Sequence, residues 1–362
     1  MFLMYLCFLA YTSLFISDSF FCFWYATGGY VVFDPLVDLL LAELCQVTVN
    51  LYFFLLSAFL IFFILFRSFW GVIFNPHRRF FFQNRLADQS LLALLALIFC
   101  ACMVWSNNLF FLFVNWVGLN VVLYSLLGQF SFSLKAQESA IKYFTLGLVA
   151  AGFFLFGLWL VYYTFGFLDV FSISAILGVL PIDSIPVLVL VGFLLILSVI
   201  LFKLSAFPFQ AWALDVYEGA SWFSLSILVL VVKPIFVLVL IQLLFLFTQL
   251  GVFSSVFIFI SGCVSLFIGT VGGAFQQKIK RFLAMSSIAH IGFILMILAL
   301  DPTNPVLALN YLMGYVSANA ILILILSSLR ISGPLYPVAR SVVYWSELIF
   351  LNGHKHFRVF YT

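Results

Sequence analysis

Charge is what this chain has least of. Only 7% of its 362 residues are Asp, Glu, Lys or Arg, against roughly 25% in a soluble domain. A globule of this composition cannot cover itself with polar surface, which excludes a water-soluble fold. Disorder is excluded by the opposite property, since 66% of the residues are hydrophobic and such a chain buries itself readily. Basic residues are scarce too. The 15 Lys and Arg are scattered along the chain, which excludes a nucleic-acid binder. Thiol and metal chemistry have little to work with. The six cysteines (Cys7, Cys22, Cys45, Cys100, Cys102 and Cys263) form no CxxC pair and have no His at ligand spacing, so they read as small buried hydrophobes. No His/Asp/Glu cluster has catalytic spacing, so an enzyme acting on lipid has no support, and His354-Lys355-His356 reads as a solvated interfacial patch. No Arg-rich presequence or small-residue cleavage site opens the chain, and its first apolar run is expected to be a retained helix.

What is present is a series of long apolar runs. They are about 20 residues long and unbroken, whereas a membrane barrel shows alternating segments of about 10. The expected fold is an all-α polytopic membrane protein in a lipid bilayer. About ten spanning helices are expected, near 2–24, 36–66, 87–105, 107–128, 137–164, 186–206, 222–247, 252–274, 281–300 and 305–329. Loops are short, so residues 1–329 read as one transmembrane domain. The connection 165–185 has room for a surface helix. Residues 330–362 form a more polar tail, with an interfacial helix expected around Val342–Leu351. The 49 phenylalanines exceed what packing demands and point to an unusual coding bias.

Charge placement supports this map. Following the chain through alternate sides, one side receives twelve of the fifteen basic residues, among them Arg67, Lys135, Lys278, Lys280, Arg281 and Arg330. The other side receives none and carries Asp34, Asp169, Asp183 and Asp301. This is the asymmetry of the positive-inside rule, so the basic side is expected to face a bacterial cytoplasm or a mitochondrial matrix.

The three remaining basic residues, Lys142, Lys203 and Lys233, fall inside apolar runs. A charge at the bilayer centre costs on the order of 3 kcal/mol. Lys142 and Lys203 lie near helix ends and could snorkel to the interface. Lys233 has eleven apolar or small residues before it and Pro234 after it, which leaves it little escape. Burial disfavours the charged form of a lysine and a neighbouring carboxylate favours it, so a lysine between these influences can hold or release a proton. Glu138, four residues before Lys142, shares its helix face and reads either as a modulating carboxylate or as a neutralising pair. The stretch from Lys203 to Ala220 contains Pro208 and Gly219 and interrupts an apolar region. It reads either as a broken helix lining a polar cavity or as an ordinary loop.

At these residues the chain resembles a known family. The run Phe202-Lys203-Leu-Ser-Ala-Phe-Pro208-Phe209-Gln210-Ala-Trp212 with Asp215-Val216-Tyr217-Glu218-Gly219-Ala220 resembles the broken-helix signature of the antiporter-like subunits of respiratory complex I. Within them it is most similar to NADH dehydrogenase subunit 2. Glu138-Ser-Ala-Ile-Lys142-Tyr143-Phe144 and the run from Gln277 to Gly292, with Ser286, Ser287 and His290, agree, as does Phe33-Asp34-Pro35. The resemblance covers roughly residues 33–330. It implies a proton-translocating subunit that holds no redox cofactor, in which Lys142, Lys203 and Lys233 form the relay and His290 lies near the axis of the second half. It further implies partnership with other membrane-arm subunits and a place in the mitochondrial inner membrane or a bacterial plasma membrane. Four departures stand out, one of them an expected N-terminal region with fewer helices than in bacterial relatives. The family's glutamate about twenty-five residues before the first lysine is Val117 here, with Asn115 and Asn120 as the nearest polar groups. Its histidine after Pro208-Phe209 is Gln210. The last helices of its second half have no match, so a separate chain is expected to supply them. A stand-alone cation/proton antiporter and a non-conducting structural subunit are the alternatives.

Overall fold

The structure, a computed structural model, describes residues 79–129, 134–179, 186–302, 305–333, 336–341, 343–344 and 358–361. The expected helices at 2–24 and 36–66 lie outside them.

The described chain is almost wholly helical. Helix α1 is Arg79–Val104, α2 Leu109–Gly128, α3 Leu134–Phe165, α4 Val170–Val179, α5 Val187–Leu204 and α6 Ala211–Gly219. Then come α7 (Trp222–Ile227), a π-helical turn (Leu228–Val232) and α8 (Lys233–Gln249), which together make one rod. Helices α9 (Val252–Ala274), α10 (Ile279–Leu300) and α11 (Val306–Ser328) complete the bundle. Among the described residues, seven helices are long and apolar enough to cross a membrane, and the apolar part of α1, Asp88–Val104, is shorter. The expected surface helix of the 165–185 connection is α4. Its boundary is set by Gly166 at φ +79°, a left-handed conformation that frees the chain to turn.

The rod formed by α7 and α8 is the centre of the described fold, with 94% of its most apolar 18-residue stretch buried. Two helix pairs flank it, each closed by small residues, as expected where lipid offers helices no hydrophobic reward for associating. Helix α9 lies on α10, and a methyl group on Gly292 would sit 2.6 Å from Ser265 Oγ and 2.8 Å from the Gly262 carbonyl oxygen. Helix α3 crosses α5 at Gly157 and Gly192, where a Cβ on Gly157 would meet the Gly192 carbonyl oxygen at 2.8 Å.

The segment after Lys203 is a broken helix, not a simple loop. Helix α5 ends on Ser205, which has a left-handed backbone (φ 57°) and donates its amide to Leu201 O and Phe202 O. After the turn through Pro208, α6 resumes and closes back on the break: Trp212 Nε1 donates to Phe202 O at 2.9 Å. The ends of the helices agree with the sides assigned from charge. Asn108 pairs with Asp169 on the acidic side, while Lys135, Glu218, Lys278 and Arg281 meet at the other end.

The tail contains strands that the sequence did not signal. Its described residues form a three-stranded antiparallel sheet in the order β2-β1-β3, with β1 Leu329–Gly333 running directly out of α11, β2 Tyr336–Ser341 and β3 Arg358–Tyr361. Gly333 pairs with Tyr336, and Leu329 pairs with Tyr361. Ile331, Tyr336, Val338, Val359 and Phe360 are β-formers, and Pro337 disfavours a helix in the second strand. The interfacial helix around Val342–Leu351 lies outside the described residues except Val343 and Tyr344. Tyr344 bridges Lys278, and the Val343 carbonyl accepts from Ile279 N, which ties the tail to the start of α10.

Candidate functional site

Lys203 and Lys233 are both buried, each 1% exposed. Their partners are neutral. Lys203, on the last turn of α5, donates to Asn120 Oδ1 of α2 at 2.5 Å and to Tyr143 Oη of α3 at 2.9 Å. Its ammonium lies 4.5 Å from the centre of the Tyr143 ring and 5.6 Å from that of Trp116. Trp116 and Asn120 are four residues apart on α2 and so share a face. This amide stands three residues after Val117, the position at which the resemblance implies a glutamate.

Lys233 donates to Ser205 Oγ at 2.8 Å and to Ser287 Oγ at 2.7 Å, and it lies 5.4 Å from the centre of the Tyr217 ring. Ser205 sits on the break two residues after Lys203, so the break joins the two lysine environments. The backbone at Lys233 is itself irregular. Its amide donates to Leu228 O, five residues back, which makes the π turn. Pro234 follows and can donate no hydrogen bond of its own. Single π turns of this kind occur mostly inside α-helices at functional positions.

A hydroxyl or an amide can accept from an ammonium, and a hydroxyl can instead donate to a neutral amine. Lysines with such partners can be accommodated in either protonation state. A buried carboxylate would fix the charged state more firmly.

His290 lies on α10 three residues after Ser287, on the same face. Its Nδ1 is 2.7 Å from Tyr311 Oη, and its ring packs on Tyr315. It is near Lys233 through Ser287 but does not touch it in any contact described.

Lys142 is placed differently. Its side chain is 44% exposed and lines an open cleft of about 270 Å³ at the basic end. Its ammonium is 2.7 Å from Glu138 Oε1, the partner expected from the sequence, and 2.8 Å from Asp215 Oδ2, which sequence reasoning did not single out. Asp215 and Glu218 are one turn apart on α6. Glu218 accepts from Lys135 at 3.0 Å and from Lys278 at 2.6 Å, and Arg281 Nε is 2.5 Å from its other oxygen. Burial opposes ionisation of Glu218, but the hydrogen bonds from Lys278 and Lys135 and the charge of Arg281 hold its carboxyl down at about 2. Its neighbour Gly219 is required by space, since a methyl group there would come 2.6 Å from Ser139 Oγ of α3. Among the described residues, no group of three or more His, Cys, Asp or Glu is placed to hold a metal ion. Cys100, Cys102 and Cys263 are free thiols.

Residues 106–334, the part holding all three lysines, match the family described as NADH:quinone oxidoreductase/Mrp antiporter, TM. The chain belongs to this family. It is 34% identical over 214 residues to the NADH-quinone oxidoreductase subunit N of Sulfurovum sp. (59% of this chain, 43% of that protein). It is 32% identical over 237 residues to the NADH-ubiquinone oxidoreductase chain 2 of Rhizopus oryzae (65% and 45%). The chain therefore spans about half the length of the curated relatives it matches. In fold it is similar to a chain of the archaeal membrane-bound sulfane sulfur reductase, a respiratory membrane complex (TM-score 0.65, 22% identity, 76% of this chain and 54% of that chain). It is also similar to a chain of respiratory complex I from Thermus thermophilus (TM-score 0.54, 24% identity, 81% and 70%). The expected antiporter-like architecture is the one observed.

Proposed function

We propose that this chain is a proton-translocating, antiporter-like subunit in the membrane arm of a respiratory NADH:quinone oxidoreductase, with other membrane-arm subunits as its partners. The observation that carries the reading is the pair of buried lysines held by neutral groups on either side of a helix break. Lys142, Lys203 and Lys233 are the proton stations, Glu138 modulates Lys142, and His290 continues the row into the second half of the bundle. The chain does no redox chemistry in this reading. Moving one charge against 100 mV costs about 2.3 kcal/mol, which quinone chemistry in partner subunits supplies. Membership of the family and its named relatives support the assignment. We place the protein in the mitochondrial inner membrane, on the coding bias that 49 phenylalanines suggest, with a bacterial plasma membrane as the alternative.

A second reading is a structural subunit that fills the membrane arm without conducting. Asn120 favours it, because one of the two side-chain partners of the buried Lys203 is an amide, which does not titrate. Lys233→Ala separates the two. Proton pumping lost with assembly and electron transfer intact supports translocation. Unchanged pumping supports the structural reading.

A further inference from the structure

Helix α6 carries two side chains that reach two different lysine environments. From one turn, Asp215 extends into the cleft and meets Lys142 at 2.8 Å. From the preceding turn, Trp212 packs on the Tyr143 ring, with centroids 5.1 Å apart, and its Nε1 donates to the carbonyl of Phe202, the residue before Lys203. On α3 the counterparts are adjacent: Lys142 points to the cleft, and Tyr143, fully buried, accepts from Lys203. A shift of α6 relative to α3 thus changes the Lys142 ion pair and the Lys203 environment together.

Lys142 is held by two carboxylates at once. Glu138 lies on its own helix at 2.7 Å and Asp215 on the separate helix α6 at 2.8 Å. The Glu138 pair moves with Lys142, whereas the Asp215 pair depends on where α6 sits. Asp215 has an alternative cation of its own, Arg281 Nη2 of α10 at 3.6 Å. The other charged groups facing this cleft are Lys135 on α3, Glu218 on α6 and Lys278 beside α10.

We propose that Asp215 is a positioning residue of the translocation path. It takes the Lys142 ammonium from Glu138 or yields it in exchange for Arg281, and α6 passes that exchange through Trp212 to the bond between Lys203 and Tyr143. The cleft at the basic end is then where the lysine row communicates with water. No bond forms or breaks in the exchange; two ion pairs trade partners. The inference rests on the proton-translocation reading and assigns the coupling carboxylate to α6, in place of one at Val117.

The test uses the assembled complex in its native membrane, comparing proton pumping with electron transfer across a pH series. Asp215→Asn is expected to assemble and to transfer electrons while pumping falls about tenfold, the equivalent of about 1.4 kcal/mol. Asp215→Glu, which keeps the charge on a longer arm, is expected to restore pumping with a displaced pH profile. Pumping by Asp215→Asn within about twofold of the parent, less than about 0.5 kcal/mol, overturns the proposal, as does a Glu variant as inactive as the Asn variant. Should Asp215→Asn not assemble, Trp212→Phe decides: it removes the bond to Phe202 and keeps an aromatic ring, and unchanged pumping overturns the link through α6. Lys233→Ala, measured alongside, separates the two levels. If it pumps normally, the translocation reading itself fails. If it does not pump and Asp215→Asn does, only the role of Asp215 fails.

Discussion

At the scale of single residues, the two buried lysines of the site are each held by a small number of neutral partners. Lys203 depends on one amide and one phenol, both buried. Replacing Asn120 by Leu removes one of them and leaves an ammonium with too few acceptors, a loss of about 1–3 kcal/mol. The expected outcome is a lower thermal midpoint for the detergent-solubilised assembly, with a smaller loss for Asn120→Gln. The cation cluster on Glu218 makes a prediction about pH. Its folded carboxyl is held at about 2, below the ordinary carboxylate value, so the unfolded chain binds the proton more readily. Its stabilising contribution is complete above the ordinary value of about 4.3 and is lost as pH falls toward about 2. The stability difference between the parent and Glu218→Gln is therefore expected to be constant from neutral pH down to the carboxylate range and to shrink below it. A difference that vanished on raising the pH would contradict this assignment.

At the scale of elements, the break between α5 and α6 and the π turn before Lys233 place irregular backbone beside both buried lysines. The surrounding pairs are regular and tightly closed. Helices α9 and α10 touch backbone to backbone around Gly262 and Gly292. A side chain at Gly292 must push the two apart, at about 1–3 kcal/mol for modest overpacking. Gly292→Val is expected to reduce the amount of intact assembly recovered on a native gel, and Phe293→Leu on the exposed face is not. The end of α6 follows the same logic at Gly219, which is seated on Ser139 of α3.

At the scale of the whole molecule, the ion pairs joining α3, α6 and α10 put their ends on one side of the bundle. Single cysteines replacing Lys135 and Lys278 are expected to react with an impermeant reagent from the same side, and those replacing Asp169 and Asp301 from the opposite side. Labelling of all four from one side would refute the topology. Assembly is tested by native separation in mild detergent with mass spectrometry of the chains that migrate together. Migration with a large NADH-oxidising complex is expected. Migration alone would favour a stand-alone antiporter.

Most of the scaffold was legible in the sequence because the membrane enforces a simple rule: apolar runs of bilayer length must close their hydrogen bonds as helices. Helix α9 was expected at 252–274 and lies there, and α10 and α11 begin and end within two residues of expectation. Charge asymmetry gave the sides, since it is a property of loops and needs no contacts. The lysines stood out because charge is rare in this chain. Their partners were another matter. Asn120, Tyr143, Ser205 and Ser287 are common residues in apolar helices, and nothing local distinguishes them from solvated or back-bonded side chains. Asp215 lies 73 residues from Lys142, and only the return of α6 onto α3 brings them together. The tail also escaped, because its strands owe their form to pairing across long separations, Leu329 with Tyr361 among them, which polarity alone does not encode. Local composition determined which segments are helices and which residues carry charge. Tertiary packing alone decided which neutral groups surround each buried lysine, because partners on separate helices are specified by how those helices cross.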